Sequence, residues 1–256
     1  MCGAAHKELR KDPFRGDRMK VTVIYGQSHK GMTWSISQLL LEYLDPDEVE
    51  EFMLPRDGPP SCIGCNRCFM EGEGRCPHRD RVTPIVASML TSDVILLASP
   101  NYVDGMTGAM KDLMDHLAYT WMSHRPNGEM FTKTAVVIAS SAGAGNGHVL
   151  GSMEKQLRSW MVPKVHRIGL ISHAYGIDDL SYKKARKVDR MCSKVARSII
   201  SHRGKVPFSI RQRFMFYLFR SMQSGPSSWN EADASWWRGN GWLEGVRPWR
   251  DPGKNR

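Results

Sequence analysis

Short apolar, β-branched runs alternate with helical stripes along most of this chain, and that alternation decides its fold class. The runs are Lys20–Tyr25 (KVTVIY), Val49–Leu54, Asp93–Ala98, Thr134–Ala139 (TAVVIA) and Val165–Ile171. Each is too short for a helix and rich in residues that suit a pleated surface. Between them the apolar residues recur at helical spacing. Ile36, Leu39, Leu40, Tyr43 and Leu44 form one stripe within Met32–Leu44, and Val82–Leu90 reads as a short helix. Met110, Leu113, Met114, Leu117, Ala118 and Trp121 form the next stripe, and Val149–Met161 a fourth helix. Ala185, Val188, Cys192, Val195, Ala196 and Ile199 mark a long last one. Strands separated by helices give an α/β parallel sheet covered on both faces. Right-handed crossovers leave few topologies, and five strands fit the flavodoxin-like, doubly wound order 2-1-3-4-5.

In that architecture a ligand sits at the carboxyl ends of the strands, so the loops after strands one, three and four carry the function. The first reads Gly26-Gln27-Ser28-His29-Lys30-Gly31-Met32-Thr33 and runs into a helix. A helix N-terminus offers unpaired N–H groups to a phosphate, Ser28 and Thr33 add hydroxyls, and Gly31 permits close approach. An ordinary capped turn is the alternative. The pattern is neither a Walker A nor a GxGxxG sequence. The other two loops, Ser99-Pro100-Asn101-Tyr102-Val103-Asp104-Gly105 and Ser140-Ser141-Ala142-Gly143-Ala144-Gly145-Asn146-Gly147, are small and glycine-rich. Tyr102 offers an aromatic face, and exposed amides suit the edge of a heteroaromatic ring.

Four of the six cysteines crowd into Cys62, Cys65, Cys68 and Cys76, giving C-x2-C-x2-C-x7-C-P with Pro77. This aperiodic segment reads as a loop. Its spacing suits a 4Fe–4S cubane, while zinc and metal-free reduced thiols are the alternatives. Cys192, on an apolar helical stripe, belongs to the core, and Cys2 to the N-terminal extension. His78 follows the cysteine loop and reads as a solvent-facing residue, with tuning of that loop as the alternative.

These residues together resemble the NADPH-dependent FMN reductase family. The carriers are GQSHKGMT after strand one, SPNYVDGMTGAMKDLMD after strand three and the glycine-rich loop after strand four. The cysteine motif is similar to that of the iron–sulfur flavoproteins. The resemblance covers roughly residues 19–175. It implies that Ser28, His29, Gly31, Met32 and Thr33 hold the FMN phosphate. It also implies that Pro100, Asn101, Tyr102, Val103 and Asp104 line the isoalloxazine, with Ser140, Ser141 and Gly143 on its other edge. Gln27 and Met32 depart from the commoner residues there, so Met32 would contribute only its backbone N–H. The implied activity is oxidoreduction, from NAD(P)H or a carrier protein such as ferredoxin to a small acceptor such as a quinone. No catalytic side chain is required, since the redox chemistry belongs to the cofactors. A non-enzymatic electron carrier and a metal-free FMN reductase are the alternatives. Homodimers or homotetramers are implied as well.

The expected organisation is an N-terminal extension (1–18), a flavodoxin-like domain (19–203) with its cysteine loop (61–78), and a basic, aromatic C-terminal extension (204–256). The net charge of +10 arises in the last third, since residues 181–256 carry 17 Lys+Arg against 5 Asp+Glu. Within that extension Phe214, Leu218 and Met222 recur at helical spacing, followed by Trp229, Trp236, Trp237, Trp242 and Trp249. Packing against the core or a second subunit is expected. A membrane-surface role for Arg211, Arg213 and Arg220 is the rival reading, and nucleic-acid binding lacks any recognition motif. A mean hydropathy of -0.42 and a polar Met1–Lys20 argue against a membrane span or secretory signal and for a cytoplasmic protein.

Overall fold

The computed structural model describes residues 18–143, 145–204, 208–225 and 230–250. Cys2, Trp229, Ala144 and the 1–17 part of the N-terminal extension lie outside the described residues. Five parallel strands, β1 (Lys20–Tyr25), β2 (Glu48–Met53), β3 (Val94–Pro100), β4 (Thr134–Ser141) and β5 (Lys164–Ile171), pair in the order β2-β1-β3-β4-β5. Around them lie α1 (Met32–Leu44), α2 (Arg67–Met70), α3 (Arg79–Thr91), α4 (Gly108–His116), α5 (Asn146–Ser159), α6 (Tyr182–Ser201), α7 (Ile210–Gln223) and α8 (Glu231–Gly239).

Alternation along β3 shows how the two faces are filled. Val94, Leu96 and Ala98 pack with α1 and α6, through Ile36, Leu40, Val188 and Cys192. Ile95 and Leu97 pack the other way, against Ile85 and Met89 of α3, Leu113 of α4 and Met153 of α5. Both β3 and β4 outlast their apolar runs: Ser99 pairs with Ala139, and Pro100 with Ser140. The sheet therefore delivers ordered backbone directly to its carboxyl rim.

Three local expectations are corrected. The cysteine segment is not wholly a loop, because Arg67–Met70 forms a single helical turn and Glu73–Arg75 a 3₁₀ turn. The stripe reaching Trp121 is helical only to His116, and a 3₁₀ turn, Ala118–Thr120, keeps its later members on the same side. In α5 the helix stops at Ser159, since Met161 takes a left-handed φ of 72°.

The C-terminal helices add a third apolar cluster, in which Phe208, Phe216, Trp237 and Trp242 cover Phe131 and Met161. The apolar spacing read over Phe214, Leu218 and Met222 is not the face that α7 packs on the body. Phe214 and Leu218 face solvent, and the buried positions of α7 are Gln212, Phe216 and Gln223. Polar handles dictate that rotation. Gln212 Nε2 donates to the carbonyls of Met161 and Val162, and Gln223 Nε2 to that of Ser123. Among the described residues no helix is long and apolar enough to cross a membrane.

Candidate functional site

The loops after β1, β3 and β4 meet at the carboxyl rim, and glycine makes their approach possible. A Cβ on Gly26 would lie 2.5 Å from Thr107 Oγ1, so the first loop seats against the third only without a side chain. A Cβ on Gly145 would lie 2.4 Å from both Asn101 Nδ2 and Asp104 Oδ1, and its φ is +90°. Thr107 N–H donates to Ser99 Oγ, and Thr107 Oγ1 caps α4 at Met110 N–H. Asn101 N–H donates to Ser140 O, extending the β3–β4 ladder.

In the first loop, α1 starts behind Gly31 with no side-chain cap, leaving the first-turn N–H groups available to an anion. Thr33 is 1% exposed, and its Oγ1 accepts from Gln27 Nε2 at 2.7 Å. Gln27 Oε1 is buried and has no hydrogen-bond partner among the described residues. Ser28 Oγ donates to Leu54 O, tying the loop to the end of β2, and His29 stacks on Tyr175 with 6.0 Å between ring centroids. Met32 is buried, and its side chain joins the α1–α6 core.

The third loop turns tightly. Tyr102 and Gly105 exchange both backbone hydrogen bonds, and Val103 and Asp104 between them have φ of 51° and 58°. Two consecutive positive φ values define a type I′ turn, where Asn-Gly is the usual occupant and a β-branched residue is strained. Val103 is fully exposed at the tip, and Tyr102 is 50% exposed. Across the rim Ser140 and Ser141 are half-buried, Gly143 is open, and Ser141 Oγ is buried without a hydrogen-bond partner among the described residues. Strain at an exposed turn, uncapped amides and orphaned polar atoms on one rim are the marks of a ligand ledge. The uncapped amides suit a phosphate, and the orphan atoms suit the polar edge of a planar ring.

The cysteines form a second constellation on the α4 side. Cys62, Cys65, Cys68 and Cys76 line one small cavity together with His78, Asp115 and His116. Among the described residues no three His, Cys, Asp or Glu side chains converge as a single metal ion requires. Burial pushes the Cys68 thiol up, and the neighbouring Cys76 and Cys62 charges add to that. Cys192 is buried under α1, where desolvation pushes it up to about 12, so it plays no part here.

His116, Arg125 and Asp233 at this second site escape sequence reasoning. His116 is 5% exposed, with Nδ1 3.7 Å from Cys76 Sγ and Nε2 2.9 Å from Pro60 O. Its signal was its position on the apolar face of α4, three residues after Leu113. His78, expected to face solvent, is half-buried instead, and its ring meets that of His116 edge-on at 5.2 Å. Arg125 and Asp233, 108 residues apart, form an ion pair at 2.7 Å with side chains 4% and 0% exposed. Arg125 also donates to the carbonyls of Cys68 and Phe69, so α8 is clamped to the cysteine segment. His124 Nδ1 donates to the same carboxylate at 2.7 Å, and Trp236 and Trp237 Nε1 donate to Pro126 O and His124 O. Nothing in local pattern announces such a contact.

Residues 19–175 match the sequence model of the family described as NADPH-dependent FMN reductase. An iron-sulfur flavoprotein of Archaeoglobus fulgidus is 30% identical over 158 residues, 60% of this chain and 67% of that one. An iron-sulfur flavoprotein of Methanocaldococcus jannaschii is 46% identical over 100 residues, 38% of this chain and 51% of that one. The chain thus spans between half and two thirds of the length of these two relatives. Among solved structures, an FMN-dependent NADH-azoreductase from Bacillus anthracis in complex with FMN superposes with a TM-score of 0.55 at 13% identity, covering 70% of this chain and 99% of that one. The NAD(P)H:quinone oxidoreductase of Methanothermobacter marburgensis gives a TM-score of 0.54 at 14% identity, covering 72% and 98%. At such identities these two likenesses show the fold.

Proposed function

Because the chain belongs to the NADPH-dependent FMN reductase family, we propose that it is an FMN-dependent NAD(P)H oxidoreductase whose flavin lies on the carboxyl rim. The observation that carries this reading is the convergence of three loops on one ledge with uncapped α1 amides at one end and Ser141 Oγ at the other. Ser28, His29, Gly31, Met32 and Thr33 would hold the phosphate, mainly through backbone N–H groups, since Thr33 Oγ1 already accepts from Gln27. Pro100, Asn101, Tyr102, Val103 and Asp104 would border the ring on one side, and Ser140, Ser141 and Gly143 on the other. Bound FMN supplies hydride acceptance from NAD(P)H and electron delivery to a small acceptor such as a quinone. The chain's own residues bind and orient, and none need exchange a proton with substrate.

Cys62, Cys65, Cys68 and Cys76 would hold a 4Fe–4S cluster, which supplies single-electron transfer. Support comes from the C-x2-C-x2-C-x7-C spacing, from the cavity that the four cysteines share, and from the iron-sulfur flavoprotein relatives. Crowded reduced thiols also suit a cytoplasmic setting. The absorbance spectrum of anaerobically purified protein tests both cofactors. Flavin bands with a broad iron–sulfur shoulder, iron and labile sulfide are expected. Flavin bands alone would remove the cluster, and a colourless protein that refuses added FMN would remove the whole reading. Stopped-flow mixing with NADPH and NADH tests the enzyme: rapid flavin bleaching is expected, and inertness toward both would favour a carrier fed by a protein such as ferredoxin.

A further inference from the structure

A cavity of about 240 Å³ lies behind the cysteine segment, walled by Val82, Val86, Leu90, Leu117 and Met130, with Cys76 at one end. It is separate from the three loops of the carboxyl rim. A cavity of about 150 Å³ accepts benzene, so this one holds a substituted ring. Arg125 and Trp160 also line it, and both are buried, at 5% and 1% exposure. Arg125 Nε–H and Trp160 Nε1–H have no hydrogen-bond partner among the described residues. Glu73 Oε2 lies 3.7 Å from Arg125 Nε, beyond hydrogen-bond reach.

A buried donor without an acceptor is costly, so two such donors on residues lining one apolar cavity call for an oxygen-bearing occupant. The walls are mostly apolar, and the lining carboxylate of Glu73 is already ion-paired with Arg125, which disfavours an anion. A neutral carbonyl on a planar ring satisfies the donors, the walls and the volume together. We propose that this cavity is a binding site for a quinone-class molecule, its carbonyl oxygens accepting from Arg125 and Trp160. Binding itself needs no flavin. Naming the occupant as the electron acceptor rests on the function proposed above.

Calorimetric titration of the purified full-length protein with duroquinone tests the site, because its fully substituted ring does not add thiols. Durene, the same ring without oxygens, measures the donors' contribution. FMN titration of the same samples reports the rim separately. Saturable duroquinone binding is expected, at least roughly tenfold tighter than durene, the worth of one satisfied donor. Val86→Trp, which fills the cavity, or the more exposed Ala87→Phe at its wall, should weaken duroquinone at least as much while leaving FMN binding unchanged. The proposal is overturned if wild-type protein takes FMN but not duroquinone, if durene binds equally well, or if both variants bind duroquinone like wild type. Protein that takes neither ligand overturns the rim reading as well.

Discussion

Replacing Asp233 with Asn removes one charge from the most deeply buried ion pair described in this chain. Asp233 is fully buried, and its carboxylate receives Arg125 Nη1, His124 Nδ1 and Asn230 Nδ2. Asparagine keeps the shape and can still accept, but it leaves the Arg125 guanidinium, only 4% exposed, with just the more distant and half-exposed Glu73 carboxylate at 3.7 Å. Breaking such a pair costs about 3–5 kcal/mol. For a chain of this size each kcal/mol moves the melting temperature by about 2–4 °C, so thermal unfolding should fall by roughly 10 °C. The double replacement Arg125→Met with Asp233→Leu removes both charges and should lose less than Asp233→Asn alone, since no unpaired charge remains.

The same variant reports on the clamp. Arg125 holds the Cys68 and Phe69 carbonyls, so Asp233→Asn should raise the alkylation rate of Cys68 in metal-free protein. A destabilisation below about 1 kcal/mol, the scale of an exposed pair, would refute the energetic reasoning. An unchanged Cys68 alkylation rate would refute the mechanical link from α8 to the cysteine segment.

Gly145→Ala places a Cβ at 2.4 Å from Asn101 and Asp104 and adds left-handed strain. That strain is worth about 1–2 kcal/mol, roughly a tenfold loss of FMN affinity by fluorescence titration, and unchanged affinity would count against the rim. Val103→Gly relieves the positive φ at the turn and should raise stability in urea by about 1 kcal/mol; no gain would mean that the turn is unstrained. Lys133 is buried with its Nζ on the carbonyls of Leu90 and Ser92, and desolvation pulls its pKa from 10.5 down to about 8. The unfolded chain therefore binds the extra proton between those values, and stability relative to Lys133→Met should rise by about 2 kcal/mol from pH 7 to 9.5. A difference flat with pH would exclude that origin.

The sheet was legible because its information is local. The central strands β1, β3 and β4 are buried apolar runs that carry Val and Ile, and a buried parallel strand needs nothing more. The rim was legible for a related reason: loops that must let backbone approach backbone are written in glycine, as Gly26 and Gly145 show. Reading failed where polar atoms set the geometry. Phe214 and Leu218 have the apolar spacing of a buried stripe, yet α7 is rotated so that Gln212 and Gln223 reach carbonyls on the body. Buried hydrogen bonds are costly to leave unmade, so two glutamine tethers outweigh the exposure of two apolar side chains. No hydrophobic periodicity encodes that preference. The pairing of Arg125 with Asp233 was illegible for the same reason, carried to a separation of 108 residues.

The Trp-rich tail therefore acts beyond covering apolar surface. Trp236 and Trp237 spend their indole N–H groups on Pro126 and His124, fixing the segment from which Arg125 reaches the Cys68 and Phe69 carbonyls. That segment also walls the cavity behind Cys76, so α8 supports both features at once. The rim depends on contacts of another kind, its three loops being braced by one another through Thr107, Asn101 and Asp104. Two sites with separate supports can lose rigidity separately. Damage to α8 should loosen the cysteine segment while leaving flavin affinity intact, an outcome that a tail serving only the general stability of the fold would not produce.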